Sequence, residues 1–164
     1  MTFRAPWDLR LTLITVLALV LLVGVGVATW FLSEGVLERA VSGGTPLAIV
    51  LGALACSVRG YRVAGGRLHV LRLGWTTTFP LDRLRDVRAQ PGATAGSIRT
   101  FGNGGLFAFV GRFRNGLLGP YRAFVTDPAR AVVLEFEDRT VVVTPDDPAA
   151  FVAAVQAERG EPVA

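Results

Sequence analysis

Residues 11–32, LTLITVLALVLLVGVGVATWFL, run for 22 positions without one charged side chain. As an α-helix rising 1.5 Å per residue, such a stretch reaches about 33 Å, enough to cross a hydrocarbon core about 30 Å thick. Trp7 and Trp30 stand near its two ends, where indole rings favour the membrane–water boundary. The sequence therefore predicts a transmembrane helix over about 11–32. A second uncharged run, residues 40–58, predicts another, although Gly43, Gly44 and Pro46 fall near its start. A buried core helix would share that composition. Arg59 follows at once and the connector 33–39 is short and polar, which favours a transmembrane hairpin. Residues 1–58 are then a membrane anchor, residues 59–160 a folded domain and residues 161–164 a short tail.

Arginine counts orient the hairpin. Arg4 and Arg10 precede the first helix, Arg39 alone lies between the two, and Arg59, Arg62 and Arg67 follow the second. The expectation is a multi-pass protein of the cell membrane with its N-terminus and folded domain in the cytoplasm. A competing expectation is a signal peptide cleaved after Gly26-Val27-Ala28, which would place the domain outside the cytoplasm. The apolar run is longer than an ordinary signal-peptide core and continues through Trp30-Phe31-Leu32, which argues against it.

Composition excludes several chemistries. The chain is 51% hydrophobic and only 18% charged, but residues 59–164 carry 24 charged side chains in 106 positions, an ordinary share. All 17 cationic side chains are arginine; a compositional bias is the plainest explanation. Without lysine there is no P-loop and no Schiff-base chemistry. One cysteine, Cys56, precludes an intrachain disulfide, and one histidine, His69, precludes a His-rich metal site. No catalytic residue, metal ligand or cofactor site is expected. His69 reads as a packed or surface histidine and Cys56 as a small residue at a helix interface. Asp146 and Asp147 suit the positive end of a helix.

The segment after the anchor reads as β structure. Residues 61–63 and 67–73 flank Ala64-Gly65-Gly66, a tight hairpin. Residues 76–79 are β-branched and aromatic. Leu81, Leu84 and Val87, spaced by three, suggest a helical turn before a strand at 87–90. Residues 121–126, 131–137 and 140–144 are strands. Residues 145–159 form one helix, with Pro148 in its first turn, Phe151, Val152 and Val155 as its apolar stripe, and Gly160 to stop it. Six or seven strands closed by one C-terminal helix make a β-rich sandwich or barrel.

Arg99-Thr100-Phe101-Gly102, Gly105, Gly111, Phe113, Gly119-x-Tyr121, Thr126 and Thr144-Pro145-Asp146-Asp147-Pro148 with Phe151 resemble a family of bacterial pleckstrin-homology (PH) domains. The resemblance implies a PH-like sandwich behind one or two transmembrane helices, and it implies no activity. Eukaryotic PH domains hold phosphoinositides with a long first hairpin loop. Here that loop is a tight turn between Arg62 and Arg67, so the specificity is not carried over.

The stretch 102–119, GNGGLFAFVGRFRNGLLG, is too apolar for a solvated loop. Its glycines suit bends and bulges between strands, and no dinucleotide fingerprint falls in it. Arg99, Phe101, Leu106, Phe107, Phe109, Arg112, Arg114 and Arg122 together form a candidate contact with the inner leaflet or a membrane partner. Residues 59–126 hold 11 arginines against Asp82 and Asp86, whereas 127–164 are net acidic. That basic side could face an anionic leaflet, or pair internally through Arg83 or Arg85. A close Gly24-x-x-x-Ala28 packing of the helices is also expected. The functional expectation is a membrane-anchored, non-enzymatic scaffold that recruits protein partners. Direct anionic-lipid binding is the alternative, homo-oligomerisation is open, and nucleic acid is not expected as a partner.

Overall fold

The computed structural model describes residues 1–159; Gly160, expected to stop the last helix, and the tail lie outside them. Helix α1 spans Leu9–Leu32 and α2 spans Val36–Ala55. Both are long and apolar enough to cross a membrane. Asp8 caps α1, its carboxylate accepting the Leu11 N–H at 2.7 Å. Helix α2 starts earlier than the uncharged run, because Glu38 reaches back to the N–H groups of Glu34 and Gly35. Gly43, Gly44 and Pro46 therefore lie inside the helix. It also ends earlier, where the Ala55 carbonyl accepts the Gly74 N–H and Val58 enters a sheet. The helices meet through Gly26 and Gly43. A Cβ on Gly26 would sit 3.1 Å from the Pro46 ring, and one on Gly43 3.3 Å from the Trp30 indole. Gly24 has nothing within 4 Å, so the expected Gly24–Ala28 contact is not the one used.

Ten strands follow the chain among the described residues: β1 Thr2–Arg4, β2 Val58–Ala64, β3 Arg67–Arg72, β4 Thr76–Pro80, β5 Leu84–Ala89, β6 Ile98–Gly104, β7 Phe109–Asn115, β8 Gly119–Val125, β9 Val132–Phe136 and β10 Thr140–Val143. They form a four-stranded sheet, β1-β2-β3-β4, and a six-stranded sheet, β5-β9-β10-β8-β7-β6. The β8–β10 pair is parallel and the others are antiparallel. Between the sheets lies a core that includes Val63, Leu68, Phe79, Leu134 and Val141, closed by Phe151 and Val155 of helix α3, Pro148–Glu158. The other face of the larger sheet buries Phe113, Tyr121, Val133 and Val142.

Two local expectations change. Residues 81–84 form a single turn, the Leu84 N–H donating to the Leu81 carbonyl, and strand β5 begins at Leu84, earlier than the expected 87–90. A β-bulge between Leu84 and Asp86 inserts one residue into β5, so Leu84 and Val87 are both buried despite their odd spacing. The glycine-rich stretch is not a loop but parts of three strands. Gly102 and Gly111 oppose each other on β6 and β7 at positive φ, and a Cβ on either would fall 2.3 or 2.1 Å from the other strand's carbonyl oxygen.

The sheet also reaches across the anchor. Thr2–Arg4 pairs antiparallel with β2, and the Phe3 ring meets Phe151 edge-on at 5.2 Å. Arg4 and Asp146 exchange hydrogen bonds, the Arg4 N–H donating to the carboxylate and the Asp146 N–H to the Arg4 carbonyl. Residues before α1 and after α2 thus share one sheet, and both feet of the hairpin lie on the same side of it. The boundary expected at 58/59 does not contain the sheet.

Candidate functional site

The end of the sandwich next to α1 and α2 gathers most of the residues singled out in the sequence, but it separates them into three groups. The first is built into the anchor. Phe107 adopts φ 66°, unusual for a residue with a side chain. Thr15 of α1 holds it there: its hydroxyl accepts the Phe107 N–H at 3.1 Å and donates to the Gly105 carbonyl at 3.2 Å. The Phe107 ring lies 6.1 Å from that of Trp7. Only 9% of Phe107 is exposed, so it is a fastening between domain and helix rather than a free contact surface. Leu106, whose backbone is clamped by the Asn103 amide, and Phe109 are half-buried.

The second group lines the free edge of the larger sheet. Strand β6 is its last strand. A bulge at Thr100 lets Ile98 pair with Arg114 and Phe101 with Arg112, which puts all four side chains on one face. Ile98 and Phe101 are 73% and 75% exposed. Arg99 folds back along the edge and donates to the Gly102 carbonyl.

The third group is a cleft of about 520 Å³ at the mouth of the sandwich, between the end of β3 and the strands β6–β8. Its walls carry Arg72, Arg112 and Arg122, and Phe124 lies between them. The Arg72 guanidinium sits 4.8 Å from the Phe124 ring centre and 5.2 Å from that of Trp75. Arg122 lies 5.6 Å from the same Phe124 ring and 5.5 Å from Phe79. Arg112 and Arg122 are directly opposite on neighbouring strands, a placement that costs stability for like charges. Burial holds both Arg72 and Arg122 below the usual guanidinium range. Arg122 adds to the effect on Arg72, and Arg139 and Arg112 add to it on Arg122. Among the described residues none of the three meets a carboxylate, and the buried Nε of Arg72 has no hydrogen-bond partner. Sequence reasoning found Arg112 and Arg122 but missed Arg72. It lies at the end of an ordinary alternating strand, and its place across from them depends on how the sheets stack.

Three arginines elsewhere are ion-paired: Arg88 bridges Asp86 and Glu135, and Arg130 and Arg139 pair with Asp127 and Asp138; among the described residues Arg83 and Arg85 make no ion pair. The Gly65-Gly66 turn has positive φ at both positions, and its Gly66 N–H donates at 2.9 Å to the Glu158 carboxylate of α3. A carboxylate already occupies the donor that an anion would seek there. Asp147 caps α3 through the Ala150 N–H. His69 bonds Thr78 across the β3–β4 pair, and Cys56 is the C-cap of α2 on the cleft rim. No group of three or more His, Cys, Asp or Glu among the described residues could hold a metal ion.

Two stacked sheets closed at one end by a helix, with an open mouth at the other, define a PH-like binding domain. Residues 59–158 match the family model described as bacterial PH domain, and the chain belongs to that family. Neither the curated proteins nor the solved structures compared with it include a match.

Proposed function

We propose that the chain is a membrane-anchored binding module that holds a protein partner at the cytoplasmic face of the membrane, with β6 as the docking edge. The observation that carries this reading is the unpaired edge of β6. Ile98 and Phe101 are presented there on the same face as Arg112 and Arg114. An open edge supplies backbone donors and acceptors for an added strand, and flanking side chains supply selectivity. The partner that fits is an extended segment with alternating apolar and acidic residues. PH domains are generally binding modules rather than enzymes, which agrees with this reading.

The cytoplasmic side is supported by the arginines at both feet of the hairpin and by strand β1, which keeps those feet together. Cleavage after Ala28 would remove β1 together with the Thr15 hydrogen bonds to Gly105 and Phe107, so the retained hairpin is the consistent reading. The test is a photo-cross-linking residue at position 98 of the full chain in native membranes. The expected adduct is a second protein joined through an acidic extended segment, lost on Arg112→Glu/Arg114→Glu. An adduct that survives the charge reversal, or none beyond lipid, overturns the proposal. An adduct between two copies replaces the partner with self-association.

A further inference from the structure

We infer that the cleft between Arg72, Arg112 and Arg122 is a binding site for a phosphoryl anion, supplied by the headgroup of an anionic lipid in the adjacent leaflet. The cleft adjoins the β6 edge and shares Phe101 and Arg112 with it, so its test rests on Arg72 and Arg122, which are not part of that edge. Three cations converge on one cavity, with no carboxylate among the described residues paired to any of them. Two of them lie over the same phenyl ring, and a third is set directly opposite one of these on a neighbouring strand. The phenyl ring holds the guanidinium groups in place, while the like-charge pair raises the energy of the empty domain, and an anion lowers it by accepting from groups already positioned. Arginine forks match phosphate oxygens in pairs, and the cavity is of the size that small-molecule headgroups occupy.

The position of the mouth selects a lipid over a soluble phosphate. Cys56 on its rim ends α2. The β3–β4 turn is bonded to the last turn of that helix through Gly74 and Ala55, and it exposes Leu73 and Trp75 at the same level. Apolar and indole side chains beside a basic cleft suit the headgroup layer, with acyl chains continuing along α2.

The experiment titrates the full chain, in neutral detergent, with phosphatidylglycerol, phosphatidylcholine and inorganic phosphate, counting bound molecules by native mass spectrometry. Phosphatidylglycerol is expected to bind in preference to phosphatidylcholine. Arg72→Met and Arg122→Met should each weaken it about tenfold or more, whereas Arg88→Met should leave it unchanged. Unfolding midpoints of the variants at or above the parent's confirm that the loss is not one of folding. Equal affinity for both lipids, or retention in both cleft variants, overturns the site. Inorganic phosphate that binds through Arg72 and displaces the lipid overturns the lipid source and assigns the cleft to a soluble phosphate.

Discussion

The two ends of strand β2 are about 20 Å apart, and the chain treats them in opposite ways. At the far end the β2–β3 turn is closed: Gly66 donates to Glu158, and α3 drives Phe151 into the core against Phe3 and Tyr61. At the near end the sheets part, and Arg72, Arg112 and Arg122 line an open mouth without an acid. Arginine is at both ends, but among the described residues it is at the near end that three arginines gather around one cavity without an ion pair. The carboxylate of Glu158 is spent on closing the far end, whereas the cleft arginines of the near end have no carboxylate that fixes them.

Substitutions can break that comparison. Phe151→Ala at the closed end should cost about 3–5 kcal/mol, read from urea unfolding of the full chain in detergent. Tyr61→Phe comes next. The buried Tyr61 hydroxyl donates to the Phe124 carbonyl at 2.6 Å and accepts the Thr144 N–H, so its loss should cost about 1–3 kcal/mol. Burial, opposed by hydrogen bonds from Thr144 and Thr126, pushes this hydroxyl up to about 12 from its usual 10. Between those values the unfolded chain has released a proton that the folded chain keeps, so stability falls as pH rises through that window. The unfolding midpoints of parent and Tyr61→Phe should therefore converge between pH 10 and pH 12; a constant gap would remove the linkage.

Smaller effects sharpen the contrast. Asp147→Ala should cost about 1 kcal/mol through loss of the α3 cap. Arg88→Met, which breaks an exposed double ion pair, should cost about 0–1 kcal/mol. Arg72→Met should cost nothing or raise the midpoint, because it removes a charge with no carboxylate against it. A clear loss of stability in Arg72→Met would make the near end structural like the far one.

Periodicity made much of this architecture legible. The uncharged runs gave the two helices, the apolar runs 131–137 and 140–144 across Asp138-Arg139 gave the β9–β10 hairpin, and Asp146, Asp147 and Pro148 gave the N-terminal end of α3, which starts at Pro148 rather than 145. Where local rules failed, a distant partner had intervened. Leu84 and Val87 imitate a helical spacing because β9 tolerates a bulge opposite them. Phe107 looks like an exposed wedge until Thr15, 92 positions earlier, takes its N–H. Thr2–Arg4 carries too short a pattern to announce a strand, and its place is set by Gly60, where only a missing side chain lets the Phe3 carbonyl approach. Arg72 could not be grouped with Arg122 from spacing alone, since they belong to different sheets.

Strand β1 has a consequence for how the chain is made. It is synthesised before either helix, yet the β2 residues it pairs with follow both. The four-stranded sheet can therefore be finished only once α1 and α2 have been made and β2 has returned to β1. In the orientation proposed above, a chain whose second helix failed to cross would leave β1 on the other side of the membrane from β2, with Gly60 and the Phe151 ring uncovered. Pairing of β1 with β2 is thus a direct readout of that hairpin insertion.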